Sequence, residues 1–228
     1  MASVCPAVVR GRIMRLTRLD ACGVPVIGAS TTVVSDGFIS VEASDQYEGG
    51  DPIRVLNASG DLCIDAKGKP QLAQEDLVIT LCQVNPDAIN IMTGAPLVLD
   101  AATPTPNTVG FRKQCGNADV NFALEVWSDV TNQACTAGAK SYWYSLWPLL
   151  TDATYGDYTI ENGAVSMVIN ASAFCASGWG VGPYDVVLDG ASAPSPLLTA
   201  IGATDLWHGQ VTAVAPPESS CGVQALAA

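Results

Sequence analysis

The sequence predicts a mainly β protein, an antiparallel β-sandwich or barrel with a short flanking α-helix and extended terminal arms and loops. Apolar and polar residues alternate with a period of two along short runs, each bounded by Gly, Pro, Asn or Asp. This pattern is typical of antiparallel strands. One segment instead carries helix-capping residues. Because no repeat or sharp change of composition divides the 228 residues, we expect a single domain over 1–228.

The early strands are predicted from two regions. Ile39 and Val41 share one face of a run whose other face carries Ser40 and Glu42. The runs 53–56 and 62–64 flank Asn57-Ala58-Ser59-Gly60, which predicts a tight connection between two strands.

Two later strands differ in how much cover they need. Phe122, Leu124 and Val126 lie opposite Glu125, as in a strand with one buried face. The run 142–149 is apolar on both faces, with Tyr142, Tyr144 and Leu146 on one and Trp143, Trp147 and Leu149 on the other. Such a strand needs cover on both sides.

A hairpin is predicted near residue 160. Tyr158 and Ile160 alternate with polar residues, and the Asn162-Gly163 pair that follows favours a type I′ turn. The next strand would return through Val165 to Ile169.

One helix is expected after residue 85. Asn85 is a suitable N-cap, Pro86 fits the first helical position, and Gly94 can end the helix. Ile89 and Met92 would share its apolar stripe. Since about eight residues form a marginal helix alone, it must pack on a sheet.

The ends and two loops are rich in small residues and proline. We expect arms at 1–6 and 215–228 and loops at 101–108 and 191–204. No secretory signal pattern follows Met1. The uncharged run 162–184 contains Asn and several Gly, so strand and turn are expected there, not a membrane span.

Composition favours contacts with other subunits. Hydrophobic residues make up 49% of the chain, charged residues 14%, and the mean hydropathy is +0.28. Either some apolar surface meets partners, or the chain is a well-buried monomer.

The formal net charge is −12, so the body of the protein should repel nucleic acid. Alternatively, the acidity serves only solubility.

Four arginines, Arg10, Arg12, Arg15 and Arg18, lie in the first 18 residues, which contain no acid. Strand alternation places Arg10 and Arg12 on one face and Arg15 on the other. No single basic surface follows, so we expect pairing with the acidic body, or with an acidic neighbouring subunit, in preference to nucleic acid.

Candidate catalytic and metal-binding residues are sparse. The eight cysteines form no C-x-x-C pair and His208 is the only histidine, so no metal or cofactor site is expected. Buried free thiols are favoured over disulfides. Glu125 and Glu161 could form a glycosidase-like pair, but we interpret them as outward strand positions. With no partner pattern around His208, no enzymatic activity is expected.

The main alternative to assembly is a carbohydrate-binding β-sandwich module. Trp143, Trp147, Trp179 and Trp207 could serve as stacking platforms for sugar rings. Core and interface roles are commoner for tryptophan.

Six short runs, in order over nearly the whole chain, carry a family resemblance. They are Gly11-Arg12 to Asp20-Ala21-Cys22-Gly23 with Pro25, Val84-Asn85-Pro86-Asp87 to Met92-Thr93-Gly94, Ala123-Leu124-Glu125-Val126-Trp127, Gly156 to Ala164, Trp179-Gly180-Val181-Gly182-Pro183-Tyr184, and Ala215-Pro216-Pro217 with Cys221-Gly222. In combination they resemble the major tail (tail tube) proteins of long, non-contractile-tailed phages of actinobacteria.

This resemblance implies a structural virion protein that polymerises as stacked, usually hexameric rings around a DNA channel. The implied partners are other copies of the chain and other tail proteins: tape measure, tail terminator and distal tail. DNA would cross the lumen without specific binding, and assembly would take place in the host cytoplasm. We expect Glu42, Asp45, Glu48 and Asp51 to face the lumen or a ring contact; a plain solvated loop is the alternative.

Overall fold

The computed structural model describes residues 5–116, 119–131, 140–158 and 165–226. Within these ranges the protein is mainly antiparallel β with one short helix, as predicted. The strands are β1 (Ala7–Leu19), β2 (Gly28–Ser35), β3 (Phe38–Glu48), β4 (Ile53–Leu56), β5 (Leu62–Ala66), β6 (Gln71–Leu81), β7 (Leu97–Leu99), β8 (Thr108–Phe111), β9 (Asn121–Thr131), β10 (Tyr142–Tyr155), β11 (Met167–Ala173), β12 (Val187–Leu188), β13 (Pro194–Ser195), β14 (His208–Thr212) and β15 (Gln224–Leu226). The helix α1 spans Pro86–Thr93.

Nine strands form one antiparallel sheet in the order β15-β2-β1-β9-β10-β11-β6-β3, with β14 also paired to β10. The long strand β10 joins its two halves. The first part of β10 pairs with β14 and the last part with β11, while β9 runs along the other side. The remaining pairs, β4–β5, β7–β8 and β12–β13, are separate two-stranded hairpins.

One face of the sheet encloses the main core. Apolar side chains from β1, β2, β6, β9, β10 and β11 meet α1 there. Its largest fully buried members include Phe122, Met14, Leu16, Ile79 and Leu124. Because strands from both ends of the sheet order contribute, the sheet bends around this core. Each such side chain stabilises the fold by about 1.5–3 kcal/mol on burial.

The other face of β1, β9 and β10 is also covered. Residues 179–201 cross it, and their Trp179, Val187 and Ile201 belong to the same buried cluster as Trp127 and Tyr144. The prediction that the run 142–149 needs cover on both sides is confirmed.

The predicted faces of β10 are correct only up to Trp147. Pairing with β9 shifts register between Trp147 and Leu150. After the shift, Leu149 packs on the side of Tyr144, and Leu150 enters the main core with Trp147. Pro148 lies within the shifted segment and lacks the N–H that a regular ladder needs.

The helix forms as predicted. The side chain of Asn85 accepts hydrogen bonds from the backbone N–H of Asp87 and Ala88, and Gly94 ends the helix in the left-handed conformation at φ 69°. Ile89 and Met92 are fully buried in the main core. Local capping starts this short helix, and burial against the sheet keeps it folded.

Three other predicted segments differ in outcome. The turn after Asn57 is confirmed, because its side chain accepts from the backbone N–H of Ser59 and Asp61 between β4 and β5. The strand predicted around Tyr158 ends earlier, at Tyr155; the turn at 162–163 lies outside the described residues. Part of the predicted C-terminal arm, β15, pairs with β2 at the end of the sheet.

No helix in the described part of the chain has the length and apolarity of a membrane span.

Replacing Asn85 with Ala should lower the free energy of unfolding by about 0.5–2 kcal/mol, because two backbone N–H groups at the start of α1 lose their acceptor. Urea unfolding followed by circular dichroism measures the change. Asn85→Ser retains an acceptor oxygen and should stay close to wild type; equal losses in both variants would contradict the capping role.

Candidate functional site

The most exposed part of the structure is an arm formed by residues 43–72. It comprises residues 43–48 of β3, the β4–β5 hairpin and the first two residues of β6. All of these strand residues are exposed. Seven large apolar side chains of this arm are 41–64% exposed: Tyr47, Ile53, Val55, Leu56, Leu62, Ile64 and Leu72. Most of the arm therefore lacks a covering layer within the described chain.

The β4–β5 hairpin at the end of the arm has an apolar and a polar side. Val55 lies directly opposite Ile64, so their side chains share one face. Arg54 and Asp65 form an ion pair at 3.3 Å on the other face. A hairpin with one exposed apolar face is marginal alone in water and is typical of a segment that packs against a partner.

The four predicted lumen or ring-contact acids lie along or just beyond β3. Glu42, Asp45 and Glu48 are exposed positions of this strand, and Asp51 follows it. Glu42 pairs opposite Val78 and Asp45 opposite Glu75. Since residues 42 and 45 differ in parity, their side chains lie on opposite faces, and the four acids do not form one surface. The assignment to a lumen or ring contact stays a prediction.

The four tryptophans of the carbohydrate-binding alternative divide into two groups. Trp179 is buried against Tyr184 in the cover over the second sheet face. Trp207 contacts both Trp143 and Trp147, with ring centroids 6.3 and 6.5 Å apart. Of this cluster Trp147 is buried and Trp207, 44% exposed, is the member that a ligand can reach.

A pocket lies beside Trp207. Its lining residues are Asp45, Leu72, Glu75, Thr204, Asp205, Leu206 and Trp207. The Trp147 indole N–H donates to Glu75 at 2.6 Å. Glu75 and Asp205 were not predicted, because neither lies in a recognisable motif. Asp205 is two positions from Trp207 in the sequence, but only the fold brings Glu75 to the same pocket.

His208 lies on the opposite side of β14 from this pocket. It pairs with Leu146 in the sheet, and its ring stands edge-on to Tyr144. Its Nε2 has no hydrogen-bonding partner among the described residues. No base–nucleophile hydrogen bond forms at this nitrogen in the described part of the chain.

The interpretation of Glu125 as an outward strand position is wrong. Glu125 is fully buried and accepts two hydrogen bonds from the Arg15 guanidinium and one, at 2.8 Å, from the Tyr144 hydroxyl. Alternation assigned its face correctly, but that face is covered by residues 179–201. The second candidate of the acid pair, Glu161, lies outside the described residues.

The Arg15 guanidinium also carries aromatic contacts. It lies 3.3 Å from the ring centroid of Tyr184 and 5.0 Å from that of Trp127. Burial opposes its charged form, but the Glu125 carboxylate outweighs this and raises the Arg15 pKa. The Tyr184 hydroxyl bonds to Thr17 and Thr32, so this cluster attaches the cover to β1 and β2.

The other N-terminal arginines pair as predicted, with one exception. Arg10 and Arg12 contact Asp129 at 3.5 and 3.6 Å, next to Lys140 at 3.1 Å. Burial opposes ionisation of Asp129, but these three cations hold its pKa below the usual value. Arg18 donates instead to the Asn90 amide oxygen.

The prediction that the free thiols are buried is wrong. The seven described cysteines are free and exposed: Cys5, Cys22, Cys63, Cys82, Cys115, Cys175 and Cys221. Among the residues that the structure describes, no group of three or more His, Cys, Asp or Glu side chains is arranged to hold a metal ion.

No known family model matches the sequence, and no curated protein matches it.

Replacing Arg15 with Met should destabilise the protein by about 3–5 kcal/mol, because Glu125 would remain as an uncompensated buried charge. Arg12→Met removes a half-exposed partner of Asp129 and should change the free energy of unfolding by less than about 1 kcal/mol. Guanidinium chloride unfolding compares the two. Similar small losses would show that the buried pair does not hold the cover in place.

Proposed function

We propose that this protein is the building block of a phage tail tube, a structural virion subunit that polymerises with copies of itself as stacked rings around a DNA channel. The observation that carries the proposal is the exposed apolar arm at residues 43–72. The six sequence runs that resemble major tail proteins supply the kind of assembly, the usual hexameric ring and the virion tail as its location.

The arm supports self-association for two reasons. Soluble monomers rarely expose large contiguous apolar patches, and such patches mark interaction sites. The arm also continues from β3, which lies at one end of the sheet order, while β15 lies at the other. End strands offer unpaired backbone groups to another chain. A repeated contact between unlike surfaces of identical subunits generates rings and, where stacking does not close, filaments.

The charge balance suits a conduit for DNA. Six copies at −12 each would sum to −72 formal charges in one ring. Acids that face a lumen repel phosphates over a screening length of roughly 8 Å. The exposed acids Glu42, Asp45, Glu48 and Asp51 are candidates for this lining or for the contacts between rings. DNA would then pass without being held.

Other tail proteins would complete the tube. The resemblance implies a tape measure protein inside it, a terminator at one end and a distal tail protein at the other. The subunit itself would bind no cofactor and perform no catalysis.

The purified wild-type chain should form rings or tubes of uniform diameter in negative-stain electron microscopy as its concentration is raised. Burial of the apolar arm drives this association. A species that stays strictly monomeric at high concentration, by light scattering and by microscopy, would contradict the proposal.

The double variant Val55→Asp with Ile64→Asp should remain folded but lose assembly, because both substitutions place charge on the apolar face of the hairpin. Val109→Asp is the matched control, since Val109 is also exposed but lies outside the arm, in β8. Analytical ultracentrifugation and microscopy compare the three proteins, and circular dichroism verifies the fold. Tubes formed equally by the double variant would exclude the arm as the contact.

A further inference from the structure

The pocket beside Trp207 has a composition that the proposed tube does not require. It measures about 360 Å³ and lies where the base of the arm meets the segment before β14. Strands β3 and β6 contribute Asp45 and Glu75, which are direct partners across the ladder. The preceding loop contributes Asp205 and Trp207. We call it the carboxylate–tryptophan pocket.

The polar side chains that line this pocket are almost entirely hydrogen-bond acceptors. Three are carboxylates, Asp45, Glu75 and Asp205; the described lining adds the Thr204 hydroxyl and one pure donor, the Trp207 indole N–H. Ionised carboxylates accept hydrogen bonds and donate none. Each carboxylate already accepts one hydrogen bond: Glu75 from the Trp147 indole, Asp45 from the Tyr47 hydroxyl and Asp205 from the Gly202 backbone N–H. Since an ionised carboxylate has about four acceptor sites, most of these sites remain open. A ligand that fits this lining must therefore be rich in donors.

An aromatic wall stands beside these carboxylates. Trp207 is 44% exposed and packs on Trp143 and Trp147. Gly209 permits this arrangement, because a Cβ there would lie 2.3 Å from the Trp207 ring and 2.7 Å from the Trp143 ring. An exposed indole face fixed in this way is the strongest side-chain platform for a cation.

The charge of the lining is uncompensated. None of its residues is basic. Burial raises the pKa of Glu75; the hydrogen bond from Trp147 opposes this shift, and the neighbouring Asp45 adds to it. A cation in the pocket would relieve the repulsion between the carboxylates and would lower the pKa of Glu75 again.

We propose that the carboxylate–tryptophan pocket binds an alkylammonium group, as carried by a free polyamine or by a lysine side chain of a polypeptide. The ammonium head presents three donors and no acceptor, which complements the three carboxylates. The alkyl stem and the positive charge pack on Trp207.

A sugar is the competing ligand for an exposed tryptophan with carboxylates. Sugar hydroxyls donate and accept, and a sugar site normally supplies side chains of both kinds. The described lining offers three carboxylates, one hydroxyl and one indole N–H, but no amide or basic donor. The excess of acceptors and of negative charge favours the ammonium ion.

Isothermal titration calorimetry with n-butylammonium chloride at low ionic strength tests the proposal on the full chain. Butan-1-ol is the neutral probe of similar shape. Wild type should bind the ammonium probe at one site and should bind the alcohol at least about tenfold more weakly, the usual effect of losing a charge-assisted hydrogen bond.

Glu75→Gln keeps an acceptor for the Trp147 N–H but removes the charge, and Trp207→Ala removes the platform. Each should weaken ammonium binding by about tenfold. Glu218→Gln is the charge-matched control, because Glu218 is exposed and lies outside the pocket; it should bind as wild type does. Circular dichroism verifies that every variant is folded.

Three outcomes would overturn the proposal: equal binding of the ammonium probe and the alcohol, unchanged binding in Glu75→Gln and Trp207→Ala, or saturable binding of a soluble oligosaccharide that Trp207→Ala abolishes while n-butylammonium fails to bind.

Two further probes distinguish the sources of the ammonium group. Stronger binding of spermidine than of acetyl-Gly-Lys-Gly-amide supports the proposal with a free polyamine as ligand, and the reverse order supports it with a lysine of a polypeptide. The site is complete within one chain, so the proposal does not rest on tube formation. Titration of the double variant Val55→Asp with Ile64→Asp separates the ammonium site from tube formation. If this variant binds n-butylammonium but does not assemble, the proposed ammonium site stands.

Discussion

The structure depends on covering both faces of its central strands. β1, β9 and β10 carry apolar side chains on each side, and a sheet of that kind is stable only between two layers. The bent sheet and α1 supply one layer. Residues 179–201 supply the other, although they form little regular structure of their own. The long β10 joins the two halves of the sheet, because it pairs with β9 on one side and with β14 and β11 on the other.

A buried ion pair lies at the second of these layers. Arg15 and Glu125 are 110 positions apart in the sequence and meet across neighbouring strands. Such a pair is tolerated only when its remaining hydrogen-bonding capacity is used and its surroundings suit the charge. Here Tyr144 bonds to Glu125, and Tyr184 lies over the guanidinium. Burying the Arg15–Glu125 pair costs free energy, but its contact with Tyr184 also fixes the position of the segment that covers this face.

The arm at residues 43–72 contrasts with this centre. The strands that form it extend beyond the two-layered core, so their alternating apolar side chains have no covering layer among the described residues. The buried central strands stabilise the fold. The exposed arm contributes little to that stability and is available for association with other chains. The carboxylate–tryptophan pocket lies at the boundary, where β3 and β6 leave the core and pass the loop that carries Trp207.

The sequence by itself determined the properties that depend on neighbouring residues. The mainly β class follows from local alternation, the helix from Asn85, Pro86 and Gly94, and the turn after Asn57 from its own side chain. Capping and turn formation act over a few residues, so they can be recognised without the fold.

Only the tertiary structure decided which faces are covered and which distant residues meet. Alternation placed Glu125 on one side of its strand, but its burial depends on a segment about 50 or more residues later in the sequence. The register shift after Trp147 reversed the face of Leu149, which a period of two cannot foresee. The meeting of Glu75 with Trp147 and Trp207 likewise has no local signal, because sheet pairing and loop packing act between residues that are remote in sequence.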